Sequence, residues 1–381
     1  MKHVDEYRDG ELAFGIARRI AAEARDDRSY RFMEFCGGHT HAISRYGIED
    51  LLPHNIRMIH GPGCPVCVLP IGRIDAAIEL ATRSEVTLCV YGDLMRVPAS
   101  NGSNLLMAKA AGADIRMIYS TLDAIRIAEH EPHRQVIFFA IGFETTTTPT
   151  AMAVRLAQKR ALTNFSIFCN HVITPPAIQK ILESGEPGAV EIDGFIGPAH
   201  VSTIIGTKPY SRFASDFHKS IVIAGFEPLD VLQAILMLIR QVNEGRAEVE
   251  NQYIRAVSSE GNRKALAEIE DIFEMRESFE WRGLGEIPFS ALRLRERYAE
   301  FDAERHFSIV TKQALDNPAC ECGAILRGVK HPRDCKLFGV GCTPERPLGA
   351  CMVSSEGSCA AYWAYGRFRS SPKPSGRRAA E

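Results

Sequence analysis

The chain has 381 residues, 45% of them hydrophobic and 24% charged, with a formal net charge of −2. That length exceeds what one core usually fills and predicts two or three domains. The composition excludes a disordered chain, and the balanced charge excludes a general nucleic-acid or membrane-surface footprint.

Short β-rich runs alternate with helical periods through residue 245. Strands are predicted at 31–35, 56–60, 86–91, 115–119, 136–141, 165–169, 194–196 and 220–224, and helices at 71–82, 104–111, 122–129, 151–159 and 176–183. This alternation predicts an α/β fold of parallel sheets covered by helices. The apolar run 231–239 is interrupted by Gln233 and reads as a buried helix. No run approaches the ~20 apolar residues of a membrane helix. The polar N-terminus is unlike a signal peptide, so a reducing cytoplasm is expected.

Eight strands fit one large sheet or two smaller ones. Similar glycine-containing strand exits favour two open α/β halves around a cleft, followed by a small cysteine-rich module. Gly-Phe-Glu occurs at 142–144 and again at 225–227, a weak sign of two related halves. The expected boundaries are 1–120 and 121–245 for the halves and 246–310 for a mostly helical connection that includes a helix at 262–275. The module follows at 311–366, and 367–381 forms a disordered basic tail.

Function in open α/β folds sits at the carboxyl ends of strands, and here those ends carry chemistry. The first runs Cys36-Gly-Gly-His39-Thr-His41. A thiolate and two imidazoles there can ligate a metal, Cys36 can act as a nucleophile, or the glycines can simply make a tight turn. In extended chain His39 and His41 would point to opposite sides, so one of them is expected at any ion. The second is Gly61-Pro-Gly-Cys64-Pro-Val-Cys67, whose paired thiols read as a redox dithiol or as metal ligands. Glu144 and Glu227 read as acid/base groups, as holders of histidines or as plain helix-start residues. Thr145–Thr148 are expected to cap a helix beginning near Pro149. His171 and His200 read as lining one cleft or as ordinary hydrogen-bonded histidines of the surface or core, and Cys89 and Cys169 as core residues.

The six C-terminal cysteines, Cys320, Cys322, Cys335, Cys342, Cys351 and Cys359, follow C-x-C-x12-C-x6-C-x8-C-x7-C. This is neither a zinc ribbon nor the bacterial ferredoxin run. Four thiolates suffice for a [4Fe–4S] cluster and two remain for a disulfide; a zinc staple is the plainer alternative. No G-x4-G-K-[ST] loop is present.

Taken in this order, Cys-Gly-Gly-His-Thr-His, Gly-Pro-Gly-Cys-Pro-Val-Cys, Gly-Phe-Glu-Thr-Thr and the ending from Cys320-Glu-Cys-Gly to Gly-Ser-Cys359-Ala-Ala-Tyr resemble the HypD family of hydrogenase maturation factors, from about residue 10 to 365. The resemblance implies assembly of the Fe(CN)2(CO) group of [NiFe]-hydrogenases. It implies a transient iron carrying cyanide and CO, shared between Cys36 and the N-terminal cysteine of a HypC-type chaperone, and a HypE-type cyanide donor. Cys64 and Cys67 would be the dithiol near the iron. The module would hold a [4Fe–4S] cluster, assigned to Cys322, Cys335, Cys342 and Cys359, with Cys320 and Cys351 as a redox pair, in a relay similar to ferredoxin:thioredoxin reductase. His39 and His41 would shape the iron site, with Glu227 and His200 on its opposite wall. The rival reading is a stand-alone iron–sulfur thiol-disulfide reductase, in which Cys36 has no special role.

Overall fold

Two parallel sheets organise the chain, seen in a computed structural model that describes residues 4–183 and 190–367. The expected tail, from 368 onward, lies outside the described residues. The strands are β1 (Tyr30–Glu34), β2 (Ile56–His60), β3 (Val86–Val90), β4 (Ile115–Met117), β5 (Gln135–Gly142), β6 (Phe165–His171), β7 (Gly194–Pro198), β8 (Ser220–Ala224) and β9 (Val249–Asn251). The helices up to β9 are α1 (Gly10–Glu23), α2 (Gly37–Tyr46), α3 (Pro65–Val68), α4 (Ile71–Ala81), α5 (Leu105–Ala110), α6 (Thr121–His130), α7 (Glu144–Lys159), α8 (Thr174–Glu183), α9 (Ala199–Ile205), α10 (Ser211–Phe217) and α11 (Pro228–Glu244).

All eight expected strands are present, and the α/β class holds. The partition at residue 120 does not. One sheet runs β2-β1-β7-β8-β9 and the other β4-β3-β5-β6, so the second sheet is inserted between β2 and β7 of the first. A parallel strand needs only a crossover of sufficient length, and that crossover can contain a whole second sheet. Nothing in the local periodicity marks the return.

Residues 246–310 are more extended than expected. After β9 come α12 (Arg263–Ile272), the short strands β10 (Phe273–Met275), β11 (Ser278–Trp281), β12 (Gly285–Pro288) and β13 (Leu292–Leu294), and then α13 (Ala303–His306). The helix expected to reach residue 275 stops at Ile272, because the next residues pair with β13. Helix α7 also starts earlier than expected. It begins at Glu144 with Pro149 inside it, and the Thr146 and Thr147 hydroxyls donate back to the Phe143 carbonyl instead of capping a later start.

Strand β5 is buried on both faces, with Phe138 and Phe139 fully enclosed; each such side chain contributes roughly 1.5–3 kcal/mol. A buried cation reaches this core. Arg73 of α4 donates to Glu304 of α13 at 2.5 Å, to the Cys169 carbonyl at 2.8 Å and to Asn170, with its guanidinium 4.1 Å from the Phe168 ring centre. It ties two helices to β6. Arg73→Met strands part of that set and is expected to destabilise the chain by about 3–5 kcal/mol in urea unfolding. A loss below about 1 kcal/mol would show that Arg276, the other partner of Glu304, suffices alone.

Candidate functional site

The first sheet reverses its strand order between β1 and β7, the place where open parallel sheets bind ligands. Cys36 follows β1 and His200 follows β7, and they meet there. The Cys36 sulfur lies 3.8 Å from His200 Nδ1. The His200 ring stacks on Phe226 at 4.0 Å, and Phe226 also lies 4.8 Å from the His39 ring.

Cys36 is the N-cap of α2. Gly37 and Gly38 form its first turn, and neither has a positive φ. Their use is room, not a tight turn. A Cβ on Gly37 would sit 2.3 Å from the Glu356 Cβ, and one on Gly38 would sit 2.8 Å from the Phe226 ring. The two histidines diverge, because two residues on a helix are about 200° apart. Buried His39 points Nε2 at the Ala224 and Gly225 carbonyls, 3.0 Å from each, and its Nδ1 is buried without a partner. His41 faces away, with Nε2 3.5 Å from the Tyr365 hydroxyl on the helix Ser358–Tyr365 in the C-terminal module.

Beneath Cys36 lies the fully buried Glu34. Its carboxylate accepts the Cys36 N–H at 2.9 Å, His60 Nδ1 at 2.9 Å and the Thr40 hydroxyl. Burial pulls the His60 pKa down, but Glu34 outweighs it and holds the imidazole above its ordinary value. The Cys36 thiol is pushed far up by burial, then by the charges of Glu356 and Glu34; the Gly38 and His39 N–H groups oppose this. Cys36 is therefore a protonated thiol at neutral pH, and a metal must displace its proton.

Cys64 and Cys67 are joined in a buried disulfide at the start of α3. The pair adjoins both other thiol groups. Gly63 O accepts the Gly37 N–H at 3.0 Å, and Cys67 Sγ lies 4.0 Å from the Ala350 carbonyl, on the turn Ala350–Met352 that carries Cys351.

In the module, Cys320, Cys322, Cys335, Cys342 and Cys359 line one cavity with Ile325, Leu337 and Phe338. A Cβ on Gly349 would lie 2.5 Å from both the Cys320 and the Cys322 sulfur, so the missing side chain is what lets these sulfurs adjoin. Hydrogen bonding with Cys322 raises the thiol pKa of both Cys320 and Cys359. Fully buried Cys351 does not line the cavity. The predicted redox pair thus has two different surroundings, with Cys320 beside the four predicted ligands.

The remaining expected residues are each engaged in hydrogen bonds within the fold. Glu227 accepts Arg8 in a two-pronged ion pair, at 2.5 and 2.8 Å, and caps α11; its neighbour Phe226 reaches the site instead. Glu144 accepts the Thr174 N–H at 2.9 Å and its hydroxyl at 3.1 Å, and burial raises its carboxyl to about 7. His171 does not share the cleft with His200. It is locked in the second sheet to Gly142 O and the Thr150 hydroxyl, and burial lowers it to about 4. Cys89 and Cys169 are core residues, as expected.

Sequence reasoning missed Glu34, His60, Phe226 and Glu356. Glu34 carried a signal as a charge in a strand otherwise buried; Glu356 stood unread in Ser-Ser-Glu-Gly-Ser. That last segment docks the module across both sheets. The Ser354 hydroxyl donates to Asp93, after β3, at 2.8 Å, while Glu356 packs on Gly37 of α2, after β1.

Fold and site define an α/β protein with three adjoining thiol centres. The comparisons agree with the family resemblance. The profile described as "HypD: Hydrogenase formation hypA family" matches residues 11–366. The chain is 73% identical over 372 residues to "Hydrogenase maturation factor HypD" of Rhizobium leguminosarum bv. viciae, covering 97% of each chain. It is 69% identical to "Hydrogenase maturation factor HypD2" of Bradyrhizobium diazoefficiens, covering 97% of this chain and 98% of that one. It is 47% identical to the Escherichia coli factor HypD, with 96% and 98% covered. The chain belongs to the HypD family of hydrogenase maturation factors. Among the described residues, no helix is long and apolar enough to cross a membrane.

Two outcomes follow from the charges. Glu356→Gln removes a carboxylate that disfavours the Cys36 thiolate. Alkylation of the Cys36 peptide at fixed pH, followed by mass spectrometry, should speed up about threefold to tenfold; an unchanged rate would place Glu356 outside the electrostatics of Cys36. Glu144 is held near 7 against 4.5 for a free carboxyl, so the folded state binds its proton more tightly. Stability is then greatest below the free carboxyl value and falls, by at most about 3 kcal/mol, as pH rises to about 7. Urea midpoints of Glu144→Gln should lack that part of the fall.

Proposed function

We propose that this chain is the scaffold on which the Fe(CN)2(CO) group of [NiFe]-hydrogenases is assembled, with Cys36 as the protein ligand of the iron cargo. The observation that carries this reading is the placement of Cys36: a lone thiol at a helix N-terminus, at a sheet switch point, adjoining a disulfide. A thiolate is a soft ligand suited to iron that carries cyanide and CO. The N–H groups of Gly38 and His39 favour the thiolate once the cargo has displaced the proton. His200, 3.8 Å from the Cys36 sulfur, is exposed, and a HypC-type chaperone bringing the second cysteine would approach on its side; a HypE-type cyanide donor would dock on that complex.

The five-sulfur, apolar lining of the module supports a [4Fe–4S] cluster, held by four of Cys320, Cys322, Cys335, Cys342 and Cys359. When bound, the cluster would supply single electrons. The chain's own part is the Cys64–Cys67 pair, whose reduction takes up two electrons and two protons and whose closure returns them.

Anaerobic co-purification with a HypC-type partner, followed by infrared spectroscopy of metal-bound cyanide and CO, tests the reading. The bands should be present in the wild type and absent in Cys36→Ala. Bands that persist without Cys36 would reject Cys36 as the ligand. Full maturation activity and full disulfide reduction in that variant would favour a stand-alone thiol-disulfide reductase.

A further inference from the structure

Beside the Cys36 site, three ligating side chains without a thiol converge from distant parts of the chain. Glu49 comes from the turn Ile48–Leu51, His60 ends β2, and His331 caps the turn Pro332–Asp334 in the module. One ligand atom from each lies within 4.8 Å of the others; His60 is buried, and Glu49 and His331 are half-buried. The orientation of His60 is fixed from behind. Its Nδ1 is held by Glu34 at 2.9 Å, which leaves Nε2 for a ligand. A carboxylate on the far nitrogen is how metal-binding histidines are oriented. His331 Nδ1 accepts the Arg333 N–H at 3.3 Å, which likewise leaves Nε2, and its ring stands edge-on to Tyr362 at 4.7 Å. The two imidazoles lie 6.4 Å apart by ring centre. A plain Glu–His ion pair would not need a second imidazole with a ligand atom within 4.8 Å.

We propose that Glu49, His60 and His331 form a binding site for a divalent first-row transition-metal ion. Two imidazoles and one carboxylate match the set that holds ferrous ions with coordination positions left open. The site differs in chemistry from the thiol centres, yet it is joined to one of them. The Glu34 carboxylate that orients His60 also accepts the Cys36 N–H at 2.9 Å. Metal there would also pin the C-terminal module to the first sheet, since His331 belongs to one and His60 to the other.

The test uses the full-length protein under anaerobic conditions with Co2+ as the probe. Its d–d bands report nitrogen and oxygen ligands, and its sulfur charge-transfer bands report the cysteine centres. Glu49→Gln and His331→Asn are the variants, because both leave the Glu34–His60 bond in place. The wild type should bind one Co2+ without sulfur bands, and its melting temperature should rise with that binding. Each variant should weaken this ion by at least about tenfold and lose the metal-dependent rise, with its metal-free melting temperature and its sulfur-bound cobalt unchanged. Absence of sulfur-free cobalt in the wild type overturns the proposal. So does an unchanged affinity in either variant.

Discussion

A buried carboxylate fixes the geometry on which the rest of the site depends. Glu34 is fully enclosed, and an enclosed charge is tolerated only when hydrogen bonds replace its water. It meets that condition with three donors: the Cys36 amide, the Thr40 hydroxyl and His60. Two of these belong to the start of α2 and one to β2. The first turn of α2 is therefore held against the end of the sheet, and Cys36 cannot drift from the switch point without breaking one of the three bonds that satisfy this charge. The same charge disfavours a second negative charge on the Cys36 sulfur. The site is thus positioned and restrained by one group.

The interleaved topology extends this constraint. Because the β3–β6 sheet is inserted between β2 and β7, the chain passes from one sheet to the other and back. The segments that follow β3 and β1 then both meet the single segment Ser354–Glu356, through Asp93 after the one strand and Gly37 after the other. Two sequential halves would each need their own docking segment. Here the C-terminal module closes over both, and its Ala350–Met352 turn abuts the disulfide.

What the sequence made legible follows from the range of the forces involved. Strand positions were readable because period and β-branched content are local, and all eight expected strands exist. The strands in 273–294 were not, since they are short, half-exposed and stabilised by pairing partners up to about twenty residues away. Which strand joins which sheet is a long-range fact with no local mark. The motif around Cys36 was legible as chemistry but not as geometry. Its glycines suggest a turn, and only Phe226 and Glu356, far away in sequence, show that they make room. Glu144 and Glu227 follow identical Gly-Phe dipeptides, yet one is buried against Thr174 and the other pairs with Arg8. A tripeptide cannot encode that difference, because the partner sets the role.

The thiols form a chain of neighbours whose order has a physical consequence on the proposed reading. The module's cavity, the turn of Cys351, the Cys64–Cys67 pair and Cys36 are linked through the Ala350 carbonyl and then the Gly63–Gly37 hydrogen bond. Each link is buried. Charge moving along it meets little water, so each charged state depends on nearby groups more than on solvent. For Cys36 those groups are Glu34 and Glu356, both acidic, with His39 held neutral by burial. An empty Cys36 is therefore a poor thiolate and a poor partner for stray electrophiles. On the proposed reading a bare ferrous ion reverses the balance, because the two carboxylates that repel a bare thiolate attract the dication; two cyanides then cancel the charge of the ion as the group is built. The electrostatics that keep the free thiol inert thus favour loading of the bare metal ion over retention of the neutral Fe(CN)2(CO) group, and one arrangement of charges bears on both ends.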